Sequence, residues 1–314
     1  MNRFSEFMLP PQKSTLAEQT DALFHFVNVT SIILLAGITF AIIFFAWKYR
    51  RRSENDVTPV ITHNNKLEIT WSVIPLILVM IVFGWGLNGY MNLTTPPADA
   101  YEIRVVGKSW LWEFHYETGH VSVNELHVPV NRPVKLIMSS DDVLHSFYIP
   151  DFRVKMDVLP NRYTSLWFEA TEIGESVVFC TEYCGTAHSN MLATAYVHSS
   201  EDFITWLETA GSADDDLPPA ELGEQLVVRN ACNTCHSSDG ARLVGPTFQG
   251  LWMAEREMQD GEVITADENY LRESILEPNA KITAGYQPVM PSYAGTLNDR
   301  QIDAIIEYIK TLSN

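Results

Sequence analysis

Two apolar runs without a formal charge open the chain. Residues 25–47 contain no Lys, Arg, Asp or Glu, and so uncharged a stretch, about 35 Å of helix, is long enough to cross a bilayer. Residues 69–87 form a second uncharged run, and together the runs predict helices over about 25–47 and 69–90. Pro75 lies inside the second, where a membrane helix tolerates it once neighbours satisfy the freed carbonyl. From residue 101 to 198 the pattern becomes strand-like. Runs at 101–106, 110–116, 133–140, 165–169, 176–179 and 193–198 are β-branched or aromatic, and Gly107, Gly119, Asn131-Arg132-Pro133 and Gly174 mark turns between them. About one hundred residues with this spacing suggest an all-β Greek-key sandwich or barrel. Helical spacing returns at the end. Residues 220–230 read as an amphipathic helix, and Ile302, Ile305, Ile306 and Ile309 share one face of a helix over 299–312.

The expected organisation is therefore a membrane hairpin over 1–94, a β domain over 95–208, a linker over 209–219 and a helical domain over 220–314. The linker is small and acidic and ends in Pro218-Pro219. Residues 1–22 lack the apolar core of a signal peptide and carry Glu6, Glu18 and Asp21. Either no cleaved signal is needed or one has been removed.

Charge sets the expected sidedness. Lys48, Arg50, Arg51, Arg52 and Lys66 lie between the two runs, against Glu54 and Asp56. The positive-inside rule assigns this loop to the cytoplasm and everything after residue 92 to the periplasm or its equivalent, with two spans in the inner membrane and lipid around them. The net charge of −18 excludes nucleic acid as a partner. Acidic residues crowd the linker and the last domain, a surface that suits either solubility or the steering of a basic electron donor.

Two cysteine motifs carry the chemistry. Cys232-Asn233-Thr234-Cys235-His236 is C-x-x-C-H, the pattern of c-type haem attachment, with His236 as proximal ligand. A thioredoxin-like C-x-x-C lacks that His and needs a βαβ context. Met290 is the expected sixth ligand, and Met/His ligation raises haem potential. Met253 and Met258 are rivals, nearer the motif in a charged, helix-like run. The second motif spans 180–191 and places Cys180, Cys184, His188 and Met191 together, with His145 upstream. Soft sulfur with imidazole suits copper or zinc. Zinc is the alternative for C-x3-C-x3-H, but zinc rarely takes a thioether. All four cysteines of the chain are then used, which leaves none for a disulfide.

The 180–191 segment resembles the binuclear copper centre, CuA, of cytochrome c oxidase subunit II. Residue by residue, the resemblance implies copper ligands Cys180, Cys184, His145, His188, Met191 and the carbonyl of Glu182, and a cupredoxin barrel around them. Gly245-Pro246 matches the site where class I cytochromes c hold the proximal His by a backbone carbonyl. The whole chain thus resembles subunit II of a haem–copper oxygen reductase with a fused cytochrome c. The resemblance further implies electron arrival at Trp110, in Lys108-Ser109-Trp110-Leu111-Trp112, although many members carry Gln where Ser109 stands. It implies a magnesium shared with subunit I through Glu182, a proton-channel entrance at Glu68, interface roles for Lys155 and Asp157, and partners in subunit I, subunit III and a soluble cytochrome or other donor. His115, His120, His127 and His198 are expected to be ordinary surface or strand residues.

The implied function is electron input to a proton-pumping oxidase whose oxygen site lies in another subunit. A CuA-bearing nitric oxide reductase subunit and a membrane-tethered electron-transfer protein are the alternatives. A quinol-oxidase subunit II is excluded, because it lacks the copper cysteines.

Overall fold

The computed structural model describes residues 9–57, 60–209 and 217–313. The chain divides into two compact units, one of residues Thr15–Pro96 and one of Met1–Ser14 with Pro97–Asn314. Of the linker expected over 209–219, residues 210–216 lie outside the described residues.

The first unit is a hairpin of α1 (Thr15–Lys48) and α2 (Asn65–Thr94). Both have apolar stretches with mean hydropathies of 2.5 and 2.2, no residue of which is buried in the chain by itself. So much uncovered apolar surface on helices of this length is what lipid covers. Both helices outrun the charge-free segments because polar residues at their ends continue the helix beyond the apolar zone. Asn64 caps α2, its side chain accepting from the Leu67 amide at 3.2 Å. The helix passes through Pro75 without ending. Phe26 packs on Trp85 at 5.5 Å, and Asn92 donates to Gln19 at 3.2 Å.

The second unit contains a β-sandwich of two five-stranded sheets. The strands are β1 (Tyr101–Lys108), β2 (Leu111–His115), β3 (Val121–Val123), β4 (Glu125–Pro129), β5 (Pro133–Ser140), β6 (His145–Ile149), β7 (Val154–Val158), β8 (Thr164–Glu169), β9 (Gly174–Cys180) and β10 (Leu192–His198). The sheet orders are β3-β2-β1-β5-β8 and β4-β10-β9-β6-β7, with β1–β5 and β4–β10 parallel. This is the Greek-key arrangement expected of the segment. Four strands lay outside the predicted set: β3, β4, β6 and β7. β6 opens with His145 and Ser146, polar yet fully buried, so a hydrophobicity pattern passes over it.

Alternation builds the core. Along β5, Val134, Leu136 and Met138 point inward and are fully buried, while their neighbours are half-exposed. Trp112, Phe114, Phe147 and Phe168 fill the interior, with Trp112 edge-on to Phe147 at 5.3 Å. Each such side chain contributes about 1.5–3 kcal/mol by burial. Residues before α1 belong to this domain. The Lys13 amide donates to Asp151 O at 3.0 Å, Thr171 N donates to Lys13 O at 3.0 Å, and Ser14 forms a β-bridge with Ala170. Arg153 donates to the carbonyls of Pro10 and Pro11.

After α3 (Ser200–Thr209), whose Trp206 stacks on His127 at 4.0 Å, the helical domain begins with α4 (Pro219–Arg229). His127 is a strand residue, as expected, on β4; it is buried and bonded to His198 at 2.8 Å. A single turn, α5 (Cys232–Cys235), carries the haem motif, and α6 (Glu268–Leu276) and α7 (Asp299–Thr311) follow. Asn298 and Gln301 form a reciprocal capping box that starts α7. Its isoleucines at 302, 305, 306 and 309 are buried as the spacing predicted. α4 and α7 cross closely at Gly223. A Cβ there would overlap the Ala304 carbonyl, so alanine at this position would force the helices apart.

The run around Met253 and Met258 is not helical. It forms a hairpin of β11 (Glu255–Glu257) and β12 (Val263–Thr265), reversed at Asp260-Gly261, with Gly261 at φ +86°. Asp-Gly is a turn pair, and it outweighs the helix preference of the flanking glutamates.

Candidate metal and haem centres

One end of the sandwich gathers the sulfur and imidazole donors. Cys180 ends β9, His145 begins β6, and the intervening loop brings back Cys184, His188 and Met191. The Cys180 and Cys184 sulfurs are 3.8 Å apart and unbonded. Cys180 Sγ lies 3.9 Å from His145 Nδ1 and 3.3 Å from the Glu182 carbonyl oxygen. Cys184 Sγ lies 3.4 Å from His188 Nδ1 and 3.8 Å from Met191 Sδ. All six expected donors therefore converge, and His145, Cys180, Cys184 and Met191 are buried.

The electrostatics suit a cation. Burial would raise the Asp142 carboxyl, but hydrogen bonds from His145, Ser109 and Val143 hold it well below the usual carboxylate range. Burial alone would lower His145, but Asp142 pushes it up to about 8. Of the thiols, Cys180 loses its proton first: burial opposes ionisation, but contacts with His145 and with the backbone at Ser146 and Glu182 outweigh it. Burial and the charge on Cys180 then push Cys184 up to about 12. Two negative sulfurs so close need positive charge between them, which metal ions supply.

Asp142 went unnoticed in the sequence. It accepts from His145 Nε2 at 2.8 Å and from the Ser109 amide at 2.7 Å. That bond fixes the ring so that Nδ1 faces the sulfurs, the usual way a carboxylate orients a ligating imidazole. The signal available was an acid three residues before a ligand histidine.

The C-x-x-C-H motif lies on an apolar cavity with about 1310 Å³ of empty space, its open mouth included. Cys232, Cys235, His236 and Met290 all line it. His236 Nδ1 donates to Pro246 O at 2.7 Å, which leaves Nε2 to ligate, and Phe248 stacks on the ring at 4.8 Å. Burial lowers His236 and keeps it neutral, the ligand form. A Cβ at Gly245 would sit 2.6 Å from that ring, so only glycine admits the imidazole. Burial pushes Cys232 up to about 12 and raises Cys235, the opposite of a redox-active C-x-x-C. Met253 and Met258 are absent from the cavity wall; Met253 is exposed, and Met258 is buried in the hairpin. The barrel contributes Ser109, Trp110 and Leu111 to the same wall. Trp110 is buried there, and its Nε1 donates to Cys184 O at 3.1 Å.

The transmembrane-domain model of cytochrome C oxidase subunit II matches residues 3–87, the periplasmic-domain model of that subunit matches 119–197, and the cytochrome c model matches 220–313. Cytochrome c oxidase subunit 2 of Alkalihalophilus pseudofirmus is 31% identical over 299 residues, covering 91% of this chain and 85% of the relative. The chain belongs to the cytochrome c oxidase subunit II family. The Bacillus sp. PS3 subunit 2 is 28% identical over 290 residues, covering 85% of this chain and 80% of that one. The solved periplasmic domain of subunit II from Bradyrhizobium japonicum is 29% identical and covers 38% of this chain and 99% of that one, at a TM-score of 0.37. Membership makes the chain a membrane-anchored subunit of an oxidoreductase complex, associated with subunit I and built for copper and haem c.

Glu68 is exposed in the first turn of α2, where it accepts from the Asn64 amide at 3.1 Å. Glu182 is half-exposed on the copper loop, and among the described residues it joins no cluster of metal-binding groups.

Proposed function

We propose that this subunit takes electrons from an external donor through one covalent haem c into a binuclear copper centre, held by Cys180, Cys184, His145, His188, Met191 and the Glu182 carbonyl. When bound, the two groups supply one-electron chemistry and relay electrons towards subunit I, where oxygen is reduced to water with proton pumping. The single observation that carries the reading is Trp110, which lines the haem cavity and donates to the carbonyl of a copper-loop cysteine. Cys232 and Cys235 would anchor the haem, and His236, tied to Pro246, and Met290 would supply its protein ligands. Asp142 orients His145.

The sidedness proposed is periplasmic for both domains and cytoplasmic for the loop between α1 and α2. A chain that crosses twice would carry residues 9–14 and the barrel on one side, and the Ser14–Ala170 bridge supports this reading. The basic loop charges then give the absolute direction. Glu68, at the cytoplasmic start of α2, is proposed as the proton-channel entrance. Magnesium wants an octahedral set of oxygens, so Glu182 would supply one and subunit I the others. Lys155 and Asp157, exposed on β7 and paired at 3.1 Å, are proposed to face partner subunits, with subunit III among them.

Metal analysis of the purified subunit tests the relay. Two coppers per haem c in this subunit are expected, with a near-infrared band lost in Cys180→Ser or Cys184→Ser. One zinc and no copper after growth in copper would refute it.

A further inference from the structure

β2 breaks the rule of a sandwich strand. Trp112 and Phe114 face the core, so Leu111 and Glu113 belong on the outer face, yet Leu111 and Glu113 are both only 2% exposed. The cytochrome domain covers them. Leu111 and Val123, from β2 and β3, share one apolar cluster with Leu222, Tyr293, Leu297 and Ile305 of that domain. Glu113 is the ionisable group in this contact, paired across the ladder with Val123. A buried carboxylate costs several kcal/mol unless its oxygens are bonded. Here they are: Lys108 Nζ lies 2.8 Å away, His115 Nε2 3.2 Å, and Thr296 Oγ1 donates at 3.0 Å.

Thr296 comes from the cytochrome domain, six residues beyond Met290. Its turn is held firmly, because Tyr293 N donates to Ile275 O at 3.1 Å, Tyr293 OH to Asn230 O at 2.7 Å, and Thr296 N to Tyr293 O at 3.0 Å. Glu113 lies three residues from Trp110. The bond therefore ties the strand that leads from the receiving tryptophan to the loop that follows the axial methionine.

We propose that Glu113 is a positioning residue, a polar latch that docks the cytochrome domain through Thr296 so that the haem cavity stays closed on Trp110. The inference rests on the relay reading above. Apolar contacts at Leu111 and Val123 supply attraction without direction; the carboxylate, with acceptors that need named donors, supplies register. Lys108 and His115 hold the carboxylate in place from within the barrel, so the latch is preset before the domains meet.

The test uses the full-length subunit in detergent, as wild type, Glu113→Gln, Glu113→Ala and Thr296→Val. Hydroxyl-radical footprinting reads the covered face, and flash photoreduction of haem c reads transfer to copper. The expected result is a several-fold rise in oxidation of Leu111 and Val123 in Glu113→Ala and Thr296→Val, a smaller rise in Glu113→Gln, and a several-fold slower transfer. Covalent haem and the copper band should stay intact. Unchanged footprints in Glu113→Ala and Thr296→Val would overturn the latch, whatever the transfer rate. A wild type lacking the copper band would instead sink the relay, while the footprints would still decide the latch.

Discussion

The indole nitrogen of Trp110 donates to the carbonyl oxygen of Cys184 at 3.1 Å, and the same ring lines the haem cavity. One side chain thus touches both prosthetic-group sites. The cytochrome domain covers this face of the barrel.

Trp110→Phe keeps an aromatic wall but removes the donated bond. Both centres should load normally, and transfer from photoreduced haem c to copper should slow several-fold. A rate equal to wild type would show that the Cys184 carbonyl bond plays no part in the path.

Asp142→Ala should loosen copper without disturbing haem. The loss of a carboxylate behind a ligating histidine typically costs about 10–100-fold in metal affinity. Competition with a copper chelator, followed through the near-infrared band, measures it, while covalent haem in the same sample should be unchanged.

Met290→Ala should leave haem attached through Cys232 and Cys235 but lower its potential, because a thioether ligand is lost. Met253→Ala should not, since Met253 is exposed away from the cavity. Met258→Ala should cost stability instead, about 2–5 kcal/mol for a buried methionine. Redox titration and thermal unfolding separate the two effects.

Glu68→Ala should slow steady-state oxygen reduction by the assembled complex and leave haem-to-copper transfer unchanged. Glu68→Asp should recover part of the rate. Because Glu68 also bonds the Asn64 amide at the start of α2, the amount of assembled complex must be measured alongside. Unchanged turnover across a range of pH would remove the proton role.

The chemistry of this chain was legible where it is local. C-x-x-C-H carries its residues within one turn, so its spacing by itself points to haem attachment, whereas the donors of the 180–191 segment point by themselves to copper or zinc and only the resemblance to subunit II narrows them to a copper pair. The outer bounds of α1 were not, because Glu18 and Asp21 lie outside the uncharged run although the helix includes them. The hairpin at 255–265 was missed although Asp260-Gly261 announced a turn. Glu113 could not be found at all. Strand alternation assigns it to the watery face, and only the docking of a second domain, some 180 residues later in the chain, removes that water.

The short strap formed by residues 10–14 links biogenesis to order. Ser14 and Lys13 bond the 151–152 and 170–171 backbone, so these bonds form only when the segment before α1 and the sandwich share one side of the bilayer. A product in which only one of the two helices had crossed would leave Asp151, Phe152 and Thr171 without those partners, and it would differ from the correct one in the finish of its folded domain as well as in its topology. The cell's proteases would then have a local feature to distinguish them: an unzipped margin at the foot of the sandwich.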